Sequence, residues 1–279
     1  MFTSNDKTLF FNSVIQRTVV MRSPFSMLRG WPVVLLLFFA CQQQKEVPDI
    51  YVDQVLETLN EEGGNMIKEQ YVNAVEICES SDKKVRGLSE ADMDKLGTRR
   101  YQLAITPEKI VIRQESWGFR MTGHHVNPGE CRFVLVHQGD LTIKIPGRTM
   151  VYDLKENTLT EEEQGIPEAF DLPFQALSET GEEQDTSGVH SVRREFMGQP
   201  VVQWVHNENN IETLWAGGRE WGFSEMPSEN MFAVPGKMVL QKEQKKEGYV
   251  LKLNTRTFTV GIPVDFGTFA IPAEVLPVP

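Results

Sequence analysis

The chain has 279 residues, with 28 Lys and Arg against 39 Asp and Glu, which gives a formal net charge of −11. So acidic a chain repels the phosphate backbone of DNA and RNA, and the composition therefore argues against nucleic-acid binding. At this length the chain can bury a sizeable core, as one large domain or two small ones.

A short apolar run near the start of the chain indicates its destination. The ten residues from Trp31 to Ala40 follow Arg29 and end directly before Cys41. They fit the hydrophobic region of a signal peptide and are about half as long as a membrane-spanning helix. We predict that residues 1–40 are a lipoprotein signal peptide with an over-extended start, and that Cys41 is acylated. The alternative is an ordinary signal peptide cut nearby, with Cys41 left as a thiol.

The segment after the cysteine is polar and fits a tether. Residues 41–47 offer little that could pack in a core, and we expect the folded domain to occupy 48–279. Residues 41–279 carry 24 Lys and Arg against 38 Asp and Glu, so no polybasic segment can hold anionic lipid. The acyl chains on Cys41 are then the expected membrane anchor. This predicts a lipid-anchored protein of the cell envelope, at the outer membrane, on its periplasmic or surface face.

Two further cysteines, Cys78 and Cys131, follow the tether. In an exported chain such a pair more often forms a disulfide than a reactive pair. We predict a bridge between them. The sequence has no CxxC or zinc-type spacing of cysteines.

The first part of the domain has helical patterns. Apolar residues at helical spacing predict a helix over 48–62, which Gly63 and Gly64 would end. Residues 66–78 fit both helical and strand periods, and we favour a strand there. Ser89 and Asp92 have the spacing of a capping box, so they predict a short helix that ends at Gly97.

From Arg100 onward, apolar and polar residues alternate in short runs, as in antiparallel strands. The acidic segment 161–188 has nine acidic side chains and no basic one, and we interpret it as a long loop. Two helices and about nine strands predict an α+β fold, with a strongly curved antiparallel sheet and helices on its open side. The predicted strands span 101–105, 110–112, 132–137, 141–145, 149–154, 200–206, 211–215, 238–245 and 249–260.

No strong catalytic or cofactor motif is present in the sequence. It lacks the nucleophile elbow, the zinc-protease motif, the phosphate loop and the dinucleotide fingerprint. His124 and His125 can bind one metal ion only from a turn, and we favour loop histidines without metal. We therefore predict no catalytic residue, no metal and no cofactor, with an envelope hydrolase as the least supported alternative.

A cluster of aromatic and methionine side chains is the best candidate for a binding site. On a curved sheet these residues can line an apolar pocket, although large aromatics more often fill a core. Trp117 and Phe119 lie in a polar, glycine-rich setting and are candidates for a lid or an exposed patch. The predicted pocket residues are Trp204, Trp215, Trp221, Phe223, Met226 and Met231.

The C-terminal half of the chain resembles a known family. Five segments carry the resemblance together with Asp153 to Thr158, and the similar region covers about residues 99–272. The five segments are Leu214-Trp215-Ala216, Trp221-Gly222-Phe223, Pro235 to Leu240, Gly248 to Leu253 and Phe269 to Pro272. In this region the chain resembles LolA/LolB-like half-barrel envelope lipoproteins.

The resemblance implies a half-barrel that binds a lipid or the acyl chains of another lipoprotein. Such a carrier needs no catalytic residue. The alternative is an envelope interaction protein that binds a partner protein or a glycan through its outer surface.

Overall fold

A computed structural model describes residues 47–122, 129–164, 189–227 and 236–270. These residues contain two α-helices, α1 (Met66–Ser80) and α2 (Glu90–Lys95), and twelve strands. Short 3₁₀ helices lie at Arg219–Trp221 and Phe266–Phe269. The strands are β1 (Ile50–Leu59), β2 (Lys84–Arg86), β3 (Thr98–Ile105), β4 (Ile110–Thr122), β5 (Glu130–Ile145), β6 (Arg148–Asp153), β7 (Thr158–Gln164), β8 (His190–Phe196), β9 (Gln199–Asn207), β10 (Asn210–Trp215), β11 (Val239–Lys246) and β12 (Tyr249–Val260).

The strands form one mostly antiparallel sheet in the order β7-β6-β5-β4-β3-β1-β12-β11-β10-β9-β8. β2 lies off this path and pairs in parallel with β5. β1 is at the centre, between β3 and β12, and β7 and β8 are the two ends of an open sheet. The fold is therefore largely β with few helices, which corrects the predicted α+β class.

The predicted helix over 48–62 is wrong, because most of this segment is strand β1. Its polar residues suggested the solvent face of a helix, yet Asp53 and Gln54 are buried. The Gln54 side-chain amide donates to the carbonyl oxygen of Val239 at 2.7 Å and to the hydroxyl of Thr255 at 2.9 Å. Since partners distant in sequence satisfy these polar groups, a central strand can contain them.

The predicted strand over 66–78 is also wrong, because this segment is helix α1. Asn65 caps its N-terminus and accepts hydrogen bonds from the backbone amides of Ile67 and Lys68. The buried ring of Tyr71 packs edge-on against Phe119 and Phe133, with ring centroids 5.4 and 5.3 Å away. The helix thus covers one end of β4 and β5.

The capping-box helix and the hairpin that begins at Tyr101 are confirmed. Ser89 and Asp92 form the reciprocal capping bonds of α2, and β3 pairs with β4 through a turn at 106–109. The predicted break between the strands 132–137 and 141–145 is wrong, since Gly139 lies inside the single long strand β5. A Cβ atom there would overlap the carbonyl oxygen of Gln114 on β4, so glycine permits the close pairing.

Buried side chains form several clusters along the sheet. The largest includes Ile50 and Val52 of β1 together with Trp215, Phe223 and Phe258. A second joins Leu141, Ile143 and Met150 to Phe269 of the C-terminal 3₁₀ helix, and a third lies beneath α1. Each of the three draws residues from several elements.

Part of the predicted acidic loop belongs to the sheet. Residues 161–164 lie in the end strand β7, so the loop prediction is wrong for them. Residues 165–188 lie outside the described part of the chain.

Candidate functional site

A polar cleft of about 360 Å³ opens between α2 and the strands at the centre of the sheet. We call it the arginine cleft. Five elements contribute to it, namely β1, α2, β3, β4 and β12. Its lining residues are Val55, Asp94, Lys95, Thr98, Arg100, Arg113, Glu115, Trp117 and Arg256.

Gly97 fixes the position of α2 at the edge of the cleft. Its φ of +74° is in the left-handed region, which suits glycine just after a helix. Its backbone amide donates to the carbonyl oxygen of Trp117 at 2.9 Å, and its own carbonyl accepts from the Asn65 side chain at 3.2 Å. A Cβ atom at this position would overlap the Asn65 side chain. This turn therefore places Asp94 and Lys95 beside β4.

Alternation along β4 places Arg113, Glu115 and Trp117 on the same face of the sheet. Glu115 is buried, with 8% of the residue exposed, and its Oε1 accepts from Nη2 of Arg113 at 2.9 Å. Nε2 of His137 lies 3.0 Å from the same oxygen. Nη1 of Arg113 donates to the carbonyl oxygen of Phe269 at 2.8 Å. These bonds hold the Arg113 guanidinium in one orientation.

The side chain of Arg100 is also held in one orientation, by Asp53 on the neighbouring strand β1. Its Nε and Nη2 donate to the two carboxylate oxygens of Asp53, both at 2.9 Å, in a bidentate pair. The hydrogen bond with Asp53 raises the pKa of the Arg100 guanidinium above its ordinary value. Arg100 is therefore a fixed positive charge in the wall of the cleft.

Arg256 reaches the cleft because of an irregularity in the sheet. The pairing of β1 with β12 passes from Asp53–Thr257 to Gln54–Thr255, so Arg256 is the extra residue of a β-bulge. Bulges commonly redirect a side chain. Arg256 and Lys95 are both exposed, and neither has an ion-pair partner among the described residues.

Positive charge exceeds negative charge in this cleft, although the chain as a whole is acidic. Four of the lining residues are Lys or Arg, and two are Asp or Glu. The half-buried ring of Trp117 stacks on His137, with the ring centroids 5.5 Å apart and the planes 21° from parallel. An anionic group with an attached ring or apolar part fits this combination.

The predicted pocket residues lie elsewhere in the fold. Trp215 is 3% exposed and Phe223 5% exposed, and both are in the largest buried cluster. Trp221 stacks on Trp215 at 6.3 Å and is partly buried. Trp204 donates from its indole nitrogen to the carbonyl oxygen of Glu225 at 2.8 Å. Met226 is partly buried, and Met231 lies outside the described residues.

The structure also places the other residues singled out by the sequence. Cys78 and Cys131 are joined by a disulfide that links α1 to β5. Phe119 packs beneath α1, which argues against a role in a lid or exposed patch. Trp117 lies in the arginine cleft. Cys41, His124 and His125 fall outside the described residues.

Comparison with known proteins gives no assignment. No protein-family model matches the chain. No curated protein sequence matches it either. The resemblance to LolA/LolB-like lipoproteins therefore stays a prediction. Within the described residues, no group of three or more His, Cys, Asp and Glu side chains could hold a metal ion. No helix in that part of the chain is long and apolar enough to cross a membrane.

Sequence reasoning missed the arginines of the cleft, and the reason is their separation along the chain. Arg100, Arg113 and Arg256 belong to three different strands. A faint signal exists in β4, where Arg113, Glu115 and Trp117 occupy alternate positions and so share a face. The bulge that brings Arg256 to the same place has no sequence signature in this chain.

Proposed function

We propose that this chain is a lipid-anchored protein of the cell envelope that binds an acidic small molecule in the arginine cleft. The ligand carries a carboxylate or a phosphate group. One observation carries the proposal: Arg256 and Lys95 line the cleft without an ion-pair partner among the described residues, beside guanidinium groups already held in place.

The volume of the cleft supports a ligand of small-molecule size. Small-molecule sites commonly measure about 300–1,000 Å³, and the cleft is at the lower end of that range at about 360 Å³. The guanidinium of Arg256 can bind a carboxylate or phosphate with two parallel hydrogen bonds. Arg100 and Arg113 hold their guanidinium groups in the wall of the cleft, each paired with a carboxylate, while Trp117 offers an aromatic surface for the apolar part of the ligand.

The anchor is the other half of the proposal, and sequence alone supports it. The apolar run before Cys41 has the length and the ending of a lipoprotein signal peptide. Acylation of Cys41 attaches the binding domain to a membrane surface.

Isothermal titration calorimetry with three probes tests the binding site. The probes are inorganic phosphate, glucuronate, and glucose as the neutral counterpart of glucuronate. We expect at least one anion to bind and glucose not to bind. Arg256→Ala should weaken that binding about ten- to hundredfold, as expected for the loss of a charge-assisted hydrogen bond.

Arg219→Ala is the matched control, because Arg219 is an exposed arginine that does not line the cleft. It should leave the affinity unchanged. Binding of phosphate alone would identify a phosphate site, and binding of glucuronate alone a carboxylate site. Absence of binding by both anions, or equal affinities for wild type and Arg256→Ala, would refute the proposed function.

A second candidate function is the binding of an apolar ligand by a half-barrel, as the resemblance implies. It is favoured by the partial exposure of Trp204 and Trp221, which pack against buried apolar clusters. Native mass spectrometry of the gently purified protein distinguishes the two. A stoichiometric lipid that is lost in Trp221→Ala but kept in Arg256→Ala would favour the apolar ligand.

A further inference from the structure

Among the described residues, the two end strands of the sheet, β7 and β8, each have one backbone edge without a strand partner. Within the described residues, β7 pairs with β6 on one side, and β8 pairs with β9 on one side. All seven residues of β7 and the first six of β8 are exposed. An unpaired edge presents N–H and C=O groups that can pair with another strand.

The side chains on these two edges have opposite charge. β7 contains Glu161, Glu162 and Glu163, whereas β8 contains Arg193 and Arg194 with Glu195 as its one acidic residue. Each edge also has one exposed apolar side chain, namely Leu159, which is 44% exposed, and Val192, which is 55% exposed. The two edges are thus complementary in charge, and each can bury an apolar residue.

Charge decides which edges can pair. If β7 of one copy paired with β7 of another, their glutamates would face each other, and like charges across a strand pair are destabilising. Pairing β8 with β8 would bring arginines together in the same way. The unlike combination brings adjacent glutamates of β7 opposite Arg193 and Arg194, one pair on each face of the sheet, and is favourable.

We propose that β7 of one molecule pairs with β8 of a second copy of this chain. The sheet formed by the described strands is not closed, so each copy has two different end strands for this contact. The contact is heterologous, because each molecule uses a different surface from its neighbour. Contacts of this kind build rings or linear arrays, whereas a two-fold dimer would require the same edge twice.

Charge reversal on each edge tests the contact. The acidic-edge variant is Glu161→Lys with Glu163→Lys, and the basic-edge variant is Arg193→Glu with Arg194→Glu. Analytical ultracentrifugation of the full chain in a mild detergent measures assembly over a wide range of concentrations. All variants share the same N-terminus, so any association through the detergent micelle is common to them.

We expect wild type to assemble with rising concentration, and added salt to weaken the assembly because exposed charges are screened. Each variant alone should remain monomeric under the conditions in which wild type assembles. An equal mixture of the two variants should assemble again, because reversed edges then meet with restored complementarity. Glu61→Lys with Glu62→Lys is the matched control, since it makes the same change of charge at an exposed turn away from both edges.

Three results would overturn the proposal. They are a wild-type protein that is monomeric at every concentration, charge-reversed variants that assemble like wild type, and a mixture that stays monomeric. Thermal unfolding of each variant confirms that it is folded. The readout does not involve the arginine cleft, so failure of this proposal and failure of the proposed ligand site are distinguishable.

Discussion

Lys242 and Glu212 form an ion pair inside the sheet. The two residues are cross-strand partners on β11 and β10, and both side chains are 0% exposed. Nζ of Lys242 lies 3.6 Å from Oε1 of Glu212, and Nε2 of His206 lies 3.6 Å from Oε2. Burial of a charge is costly unless an opposite charge accompanies it, so each of the two residues requires the other.

Lys242→Met should lower the free energy of unfolding by about 3–5 kcal/mol, because the Glu212 carboxylate then stays buried without the lysine ammonium. The double variant Lys242→Met with Glu212→Leu should recover most of that loss, since it removes both charges and keeps apolar volume. Urea unfolding followed by circular dichroism measures both values.

Lys246→Met is the control for the loss of a lysine from the same strand, because Lys246 is exposed. It should change stability by no more than about 0.5 kcal/mol. A double variant as unstable as Lys242→Met would show that the charge pair is not the cause.

Helix α1 is attached to the sheet by packing and by a covalent bond. The ring of Tyr71 contacts Phe119 on β4 and Phe133 on β5, and the Cys78–Cys131 disulfide joins the helix to β5. Since 53 residues separate the two cysteines, the disulfide closes a long loop and restricts the unfolded chain. The helix thus depends on both kinds of attachment.

Cys78→Ala with Cys131→Ala should lower the free energy of unfolding by about 4 kcal/mol, the value that chain entropy predicts for a loop of this length. Urea unfolding in the presence and absence of a reductant provides the comparison. Wild type should lose stability on reduction, and the double variant should not.

Non-reducing peptide mapping examines the bridge directly and should find the peptides of Cys78 and Cys131 linked. Free thiols at both positions would contradict the disulfide. In that case the reductant should leave wild-type stability unchanged.

Among the elements, local signals predicted the hairpin that begins at Tyr101 and the short helix after Ser89. Each of these signals, whether alternation with a turn or a capping box, consists of residues only a few positions apart in the sequence. β1 and α1 were predicted wrongly, because the residues that stabilise them lie far away in the sequence. Asp53 can be buried in a strand because Arg100 pairs with its carboxylate. Gln54 can be buried because its side chain donates hydrogen bonds to Val239 and Thr255. No window of sequence around β1 contains those partners.

For the molecule as a whole, the sequence alone leads to the proposed anchor but not to the proposed binding site. The predicted lipoprotein signal is contained in one contiguous run that ends at Cys41. The arginine cleft instead requires five elements and a β-bulge to come together. The antiparallel sheet was predictable from alternation, whereas the position of Arg256 within the sheet was not.

Cys41→Ser should abolish the incorporation of radiolabelled palmitate into the protein, because serine lacks the thiol to which the proposed lipid would be attached. Metabolic labelling of expressing cells, followed by immunoprecipitation, measures the incorporation. Gln42→Ser is the matched control and should keep the label.

Membrane fractionation of the same cells extends the test to the anchor. Wild type should remain with the membranes in high salt, since the proposed anchor is a set of acyl chains, whose attachment salt does not screen. Persistence of the palmitate label in Cys41→Ser would refute acylation at this position.

The central position of β1 has a consequence for the order in which the protein can fold. The first strand of the sheet pairs with β12, and this pairing joins Ile50 to Val260. Until β12 has folded onto β1, one edge of β1 has no partner, and the two halves of the sheet are not hydrogen-bonded to each other. Long-range pairing of this kind slows folding. The sheet therefore becomes continuous only once β12 is present, and until then the inner edge of β1 is open to pairing with other chains.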